Sequence, residues 1–139
     1  KMSQGYAKNL GMHFALIDKR RFAPNQAEIS HLIGDLKNLD VLIIDDMIDT
    51  AGTLINAASA AHEQGAKSVT AIATHGVLSD PAIDRLKKSK INKIIITDTI
   101  SIPKHKLFNK LKIMSVSGIF GQAVNRVHNG ESVSALFEY

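Results

Sequence analysis

The chain has 139 residues, the ordinary size of a single domain and enough for one hydrophobic core. Nearly half of the residues are apolar and few are aromatic, a composition typical of α/β proteins with strands rich in Val and Ile. The absence of cysteine excludes a disulfide framework and a thiolate metal site, and it is compatible with a reducing compartment. We therefore expect one domain, residues 1–139, in the cytoplasm.

The formal net charge of +4 would suit a phosphorylated partner, including nucleic acid. The lysines of the carboxyl-terminal half are scattered over predicted helix surfaces and strand entries, with only Phe108 as an aromatic among them. This pattern favours a solvated basic face over a nucleic-acid site. No apolar stretch reaches the length that a membrane-spanning helix needs. We expect neither a nucleic-acid nor a membrane partner.

The amino-terminal third contains a predicted helix and two predicted extended segments. Periodicity indicates a helix over residues 3–10 and a strand over residues 12–17, which ends in the polar run 18–21. Turn residues occupy positions 22–26, and residues 28–36 are predicted to be an irregular strand or a hairpin arm.

The most informative segment is residues 45–53, which read Asp-Asp-Met-Ile-Asp-Thr-Ala-Gly-Thr. The preceding run at 41–44 has the composition of a buried parallel strand, and residues 54–62 have helical spacing with an end near Gly65. A strand-to-helix turn of this kind offers free amides and the positive end of the helix dipole to a phosphate. The segment therefore predicts an anion site.

Individual residues of the segment refine this interpretation. Gly52 would let the backbone approach an anion, and Thr50 and Thr53 add hydroxyl donors. The neighbouring carboxylates Asp45 and Asp46 suit the vicinal hydroxyls of a sugar, or a hydrated magnesium ion brought by the substrate. A solvated turn would explain one Asp and the Gly, but not the full set of residues. A sugar-phosphate site is the preferred interpretation.

The remaining elements alternate in type. Strands are predicted over residues 68–74, 91–97 and 112–116, helices over 82–87 (opened by Pro81), 104–111 and 119–128, and an extended end over 132–137. Repeated βα units imply an α/β fold with a mostly parallel twisted sheet, right-handed crossovers and helices on both faces. Because the chain starts inside a helix, its first βα unit looks as if it lacks a strand.

The segment 45–53 resembles the phosphoribosyl-pyrophosphate loop that type I phosphoribosyltransferases and ribose-phosphate pyrophosphokinases share. Residues 16–21, 74–82 and 126–137 resemble, in the same order, the pyrophosphokinase's mobile catalytic loop, a segment after the next strand, and its carboxyl end. Transferases share none of these three. The resemblance implies a type I phosphoribosyltransferase-like fold and the carboxyl-terminal half of a pyrophosphokinase, without its first strand and its amino-terminal domain.

The resemblance also implies an activity: transfer of diphosphate from ATP to ribose 5-phosphate, giving phosphoribosyl pyrophosphate and AMP for nucleotide biosynthesis, with Mg²⁺ carried by ATP and ribose 5-phosphate. It makes Lys19 and Arg21 the catalytic cations. The implied ribose 5-phosphate ligands are Arg21, Asp45, Asp46, Asp49, Thr50, Ala51, Gly52 and Thr53. For Asp49 we expect its carboxylate to cap the amides of the loop.

A regulatory site at the carboxyl end is implied more weakly, through Arg126, Ser132, Ser134 and Phe137. The resemblance also implies that the family's ATP-binding residues and its metal-binding histidine and aspartate would lie in a part that precedes this sequence. We therefore expect no metal site in this chain and no activity of the chain alone. The family forms homo-oligomers (hexamers), in which this chain would also take part if it assembles.

Two alternatives stay open. A type I phosphoribosyltransferase would use the same loop, but it also needs a base-binding hood, and no segment resembles one. A non-catalytic regulatory partner of the synthetase would keep the fold, but the intact loop speaks against a decayed site. His75 follows a predicted strand and could reach the loop, yet a lone histidine is more often a structural residue.

Overall fold

A computed structural model describes the backbone of residues 2–23 and 26–137 and the side chains of residues 3–15 and 34–137. Within these ranges the first half contains helix α1 (Met2–Asn9) and strands β1 (Leu16–Ala23), β2 (Gln26–Ile33) and β3 (Asp40–Ile48). Then follow α2 (Gly52–Glu63), β4 (Ser68–Gly76), α3 (Ala82–Lys88), β5 (Lys93–Thr97), β6 (Leu111–Met114) and α4 (Ser117–His128). Short 3₁₀ helices occupy Lys104–Lys106 and Ser134–Phe137.

The principal sheet has four parallel strands in the order β3-β4-β5-β6 and is flanked by helices, as predicted. Its core lies on one face, because alternate residues of β4 (Val69, Ala71 and Ala73) are fully buried. Lateral pairing places Ile94 beside Ala71 and Ile96 beside Ala73 on that face. Helices α2 and α3 cover it with residues that are also buried: Leu54, Ala58, Ala61, Ala82 and Leu86.

Strands β1 and β2 form a separate antiparallel hairpin. The predicted strand at 12–17 was wrong in its bounds, since residues 12–15 are irregular and β1 continues through the polar run 18–21. Backbone pairing with β2 explains the difference: the ladder hydrogen bonds do not depend on side-chain polarity. A hairpin arm exists as predicted, but β2 runs over Gln26–Ile33 and not over 28–36, and the strands take in residues 22, 23 and 26 of the predicted turn. The central turn residues Pro24 and Asn25 lie outside the described residues.

Two predictions for the carboxyl-terminal third were also wrong. The expected helix over 104–111 is a single 3₁₀ turn, and the expected extended end at 132–137 contains the second 3₁₀ turn. Helix α4 forms as predicted, but its apolar side chains are not buried: Ile119, Phe120 and Val127 are 61%, 61% and 67% exposed. Periodicity identifies an apolar face without showing what covers it.

Candidate functional site

The two neighbouring carboxylates lie at the carboxyl end of β3, but still inside the strand. Pairing with β4 continues through Ile48, which is opposite Gly76, so the strand extends four residues beyond its predicted end at 44. A Cβ at position 76 would collide with the side chain of Ile96 on β5. The glycine therefore lets the side chain of Ile96 pack closely against this end of β4. Asp45 is half-buried and Asp46 is exposed.

Each of these carboxylates accepts the amide of the next residue. Asp45 Oδ1 accepts the N–H of Asp46 at 3.0 Å, and Asp46 Oδ1 accepts the N–H of Met47 at 2.8 Å. These local bonds leave the second carboxylate oxygen of each side chain without a protein donor in the described part of the chain. Both carboxylates can therefore accept hydrogen bonds from the hydroxyls of a ligand.

The turn from β3 into α2 depends on Ala51, which adopts the left-handed conformation with φ 62° and ψ 2°. The first intrahelical hydrogen bond of α2 runs from the N–H of Ile55 to the carbonyl of Ala51 at 3.0 Å. Because alanine has no polar side chain, the preceding amides of the helix receive no cap from this position. The helix start thus presents donors suited to an anion.

The expectation that Asp49 caps the loop is wrong. Within the described side chains, Asp49, Thr50 and Thr53 are exposed, and their polar side-chain atoms make no hydrogen bonds. The left-handed Ala51 turns the chain directly from the loop into the helix, and the loop amides are not held by a carboxylate. Among the described residues these three side chains have no partner, and they are accessible to a ligand.

Arg85 of α3 contacts this loop, which sequence reasoning did not anticipate. Its Nη1 donates a hydrogen bond to the carbonyl oxygen of Thr50 at 3.1 Å, and the same atom would be 3.6 Å from a Cβ at Gly52. The sequence places Arg85 in a helix with other basic residues and gives no sign that it reaches a loop 35 positions earlier. Only the lateral order of β3 and β4, with α2 next to α3, brings the two together.

The carboxyl ends of β4 and β5 carry a hydrogen-bonded polar cluster. His75 Nδ1 is 2.9 Å from Thr99 Oγ1, and Thr97 Oγ1 donates to the carbonyl of Thr74 at 2.7 Å. Met47 of β3 lies beside His75 in the sheet, so this cluster adjoins the acidic pair. The engaged imidazole agrees with the structural role expected for His75.

A cavity of about 910 Å³ runs along the edge of β3. Apolar residues of α1, β3 and α2 form most of its wall, and it reaches Asp45 and Thr53 among the described candidate ligands. In the described ranges β3 pairs with β4 on one side, and the cavity lies along its other edge. This cavity therefore touches the candidate site at one end and is not centred on it.

The candidate catalytic cations are located only in part. Lys19 and Arg21 both lie on β1, where they pair with Ile29 and Ala27 of β2. The positions of their side chains lie outside the described part of the structure, so their proximity to the loop stays a prediction.

Three of the four candidate regulatory residues are linked by hydrogen bonds between the last turn of α4 and the segment that follows it. Arg126 Nη1 donates to the carbonyl of Ser132 at 3.0 Å and lies 3.8 Å from Glu131 Oε2. Ser132 Oγ accepts the amide of Ser134 at 3.2 Å, and Phe137 is 65% exposed. These contacts fasten the final turn to the helix, and a regulatory role for the four residues stays a prediction.

The described residues contain neither a metal-binding cluster nor a membrane-spanning helix. No group of three or more His, Cys, Asp or Glu side chains is placed to hold a metal ion. None of the helices in the described ranges combines the length and the apolar character needed to cross a bilayer.

Comparison with known proteins decides the family. The model of the family described as "Phosphoribosyl synthetase-associated domain" matches residues 10–138. The chain belongs to this family. The match takes in the loop at 45–53 and both candidate catalytic cations, so the phosphoribosyl synthetase-associated domain contains the whole candidate site.

Curated relatives of this synthetase-associated domain include two bacterial enzymes named ribose-phosphate pyrophosphokinase. The one from Caldanaerobacter subterraneus subsp. tengcongensis is 50% identical over 132 residues, which are 95% of this chain and 42% of that protein. The one from Fusobacterium nucleatum is 48% identical over 137 residues, 99% of this chain and 43% of that protein. The domain thus spans less than half the length of these relatives.

A solved structure supports the same relationship. The crystal structure of phosphoribosylpyrophosphate synthetase from Mycobacterium smegmatis superimposes with a TM-score of 0.80 and 34% sequence identity. The superposition covers 91% of this chain and 41% of the other. The type I phosphoribosyltransferase-like fold expected from the sequence is therefore confirmed.

Proposed function

We propose that this chain is the ribose 5-phosphate-binding part of a ribose-phosphate pyrophosphokinase. The complete enzyme would transfer diphosphate from ATP to ribose 5-phosphate and release phosphoribosyl pyrophosphate and AMP. The observation that carries the proposal is the junction of β3 and α2, where two carboxylates precede an uncapped helix start. The names of the curated relatives agree with it.

The two ends of ribose 5-phosphate differ in chemistry, and so do the two ends of the junction. The phosphate would take hydrogen bonds from the amides at the start of α2 and from the hydroxyls of Thr50 and Thr53. The ribose hydroxyls would donate to the free oxygens of Asp45 and Asp46. A sugar phosphate satisfies both sets at once, whereas inorganic phosphate satisfies only the first.

Magnesium enters the proposal with the substrates. Mg²⁺ commonly binds through one or two carboxylates together with substrate phosphates and water, and it does not require an all-protein cage. The carboxylates of Asp45 and Asp46 fit that donor set, since each has an oxygen available. When bound, the ion would neutralise charge on the transferring phosphates.

The proposal also includes the position of the chain within the longer enzyme. We place it in the carboxyl-terminal part, supported by the order of the segments 16–21, 45–53, 74–82 and 126–137, which resembles the order in the pyrophosphokinase. On this placement the ATP-binding residues belong to another part of the enzyme, and the chain alone binds ribose 5-phosphate without turnover.

Calorimetric titration with ribose 5-phosphate and Mg²⁺ tests the proposed site, with inorganic phosphate and a nucleoside monophosphate as comparators. We expect Asp45→Asn and Asp46→Asn each to weaken ribose 5-phosphate binding by about tenfold, because each removes a charged acceptor. Inorganic phosphate should be affected much less. Asp40→Asn is the matched control, since it removes a carboxylate from the opposite end of the same strand. Binding that depends equally on all three carboxylates would reject the site.

A chimeric enzyme tests the placement. Replacing the carboxyl-terminal part of the Fusobacterium nucleatum enzyme by this chain should give an active synthetase, because the identity of 48% extends over 137 residues. The reciprocal chimera, with this chain in place of the amino-terminal part, should be inactive. The opposite result would place the chain in the amino-terminal part.

A further inference from the structure

Arg85 is the cation that directly holds the backbone of the candidate phosphate loop. Its Nη1 donates to the Thr50 carbonyl at 3.1 Å and stands over Gly52, where a Cβ would be 3.6 Å away. The guanidinium is carried by α3, whose residues Ala82 and Leu86 are completely buried in the core. The donor is thus fixed by a helix that is itself anchored.

The carbonyl that Arg85 holds belongs to the peptide unit immediately before the left-handed Ala51. In a trans peptide the carbonyl and the N–H of the unit point in opposite directions. A donor that fixes the Thr50 carbonyl therefore fixes the direction of the Ala51 amide, which points away from Arg85. A left-handed alanine is itself unfavourable, so the turn needs support from its surroundings.

Arg85 is well suited to this task. Thr50, Ala51 and Gly52 carry no side-chain hydrogen bond in the described structure that could support the turn, and the cap position of α2 is an alanine. A bond from a cation to a carbonyl is stronger than one between neutral groups. Lys87 and Lys88 lie on the same helix and make no side-chain contact with the loop among the described interactions.

We infer that Arg85 is a positioning residue for the phosphate-binding loop: it holds the Thr50 carbonyl so that the amides of residues 51–53 are directed at the phosphate before the ligand arrives. The inference rests on the proposed function, because the ligand is the sugar phosphate of that site. It adds a residue outside the loop that sets the loop's affinity.

The test uses the 139-residue chain with Arg85→Ala, Arg85→Lys and the control Lys88→Ala, which removes the same charge from the same helix. Two quantities are measured: amide hydrogen exchange of Ile55 without ligand, whose N–H is bonded to the Ala51 carbonyl at 3.0 Å, and the affinity for ribose 5-phosphate. For Arg85→Ala we expect at least about tenfold faster exchange and about tenfold weaker binding. Lys88→Ala should change both by less than about twofold.

Arg85→Lys separates positioning from folding. It keeps the charge and one donor, so it should recover part of both effects, with binding weakened about threefold relative to the unmodified chain. Should Arg85→Ala fail to fold, the lysine variant decides the question by the same two measurements.

Three results would overturn the inference: unchanged exchange at Ile55, altered exchange with unchanged affinity, or an equal effect of Lys88→Ala. Failure of the unmodified chain to bind ribose 5-phosphate would instead contradict the proposed function. In that case the exchange measurement alone decides whether Arg85 orders the loop.

Discussion

Ala51 carries a conformational cost that most positions of the molecule avoid. The left-handed region costs a residue with a side chain about 1–2 kcal/mol, and glycine avoids this cost. Ala51 is buried in the core, with 6% of its surface exposed, and this burial offsets part of the strain. The left-handed turn is thus retained in a residue that contributes to the core.

We predict that Ala51→Gly is nearly neutral for stability, because relief of the strain balances the lost methyl burial and the greater freedom of glycine in the unfolded chain. Ala58→Gly, at a buried helical position without positive φ, should lower the free energy of unfolding by about 1–2 kcal/mol more. Urea unfolding of both variants measures the difference. Equal losses would mean that Ala51 is not strained.

At this scale the sequence predicted the location of the candidate ligand residues better than their contacts. The acidic pair and the two threonines are where the motif predicts them, at a strand-to-helix junction. Arg85 and the bonding state of Asp49 were not predictable, because both depend on how elements distant in sequence pack together.

Asp98 connects two elements, since it follows β5 and its Oδ1 accepts the N–H of Val116, the residue before α4, at 2.9 Å. A hydrogen bond from the Ser115 side chain lowers the pKa of the Asp98 carboxyl below its usual value, and the hydrogen bond from the Val116 amide lowers it further by a smaller amount. The folded state therefore favours the ionised form. The ionised Asp98 carboxylate therefore stabilises the folded state at pH values above the pKa that this carboxyl has in the unfolded chain. This stabilisation is lost as the pH falls through the lower pKa that the carboxyl has in the folded state.

We predict that Asp98→Asn lowers the thermal unfolding temperature near pH 7, and that the deficit shrinks as the pH drops below about 4. Thermal scans of both proteins across this range measure it. Asp84→Asn on α3 is the control, because that exposed carboxylate accepts no hydrogen bond among the described residues. A deficit that is constant with pH would show that ionisation of Asp98 does not contribute.

The elements that the sequence predicted best are those whose periodicity and termini agree. Helix α2 and strand β4 were found within two residues of their ends, since Gly65 closes the helix and a β-branched run follows. Strand β3 was predicted too short, because acidic residues were taken as the end of a strand that backbone pairing with β4 extends. Pairing of this kind is not encoded in local composition.

For the whole molecule, the order of βα units was sufficient to predict a mostly parallel sheet, and the resemblance of residues 45–53 implied its type I phosphoribosyltransferase-like form. What could not be predicted is which apolar surfaces the chain covers by itself. The face of α4 and the edge of β3 are both apolar, yet α4 has no buried residue and β3 borders the 910 Å³ cavity. Hydrophobic patterning reports the tendency to be covered and does not identify the covering group.

A catalytic role for Lys19 stays a prediction about the complete enzyme, so its test uses the chimera with the Fusobacterium nucleatum protein. We predict that Lys19→Ala lowers kcat by on the order of 10²–10³, the usual effect of removing one donor to a developing charge, while ribose 5-phosphate affinity stays within about twofold. Such a pattern is expected when a cation acts on the transferring diphosphate and the loop at residues 45–53 holds the sugar phosphate independently.

The matched control for Lys19→Ala is Arg20→Ala, which removes the adjacent cation of β1. Steady-state kinetics combined with direct titration separates the possible roles, because kcat reports the transition state and the titration reports the ground state. Parallel losses of turnover and affinity would assign Lys19 to substrate binding. An equal loss of kcat in Arg20→Ala would show that the positive charge of the strand matters and that no single cation is placed for catalysis.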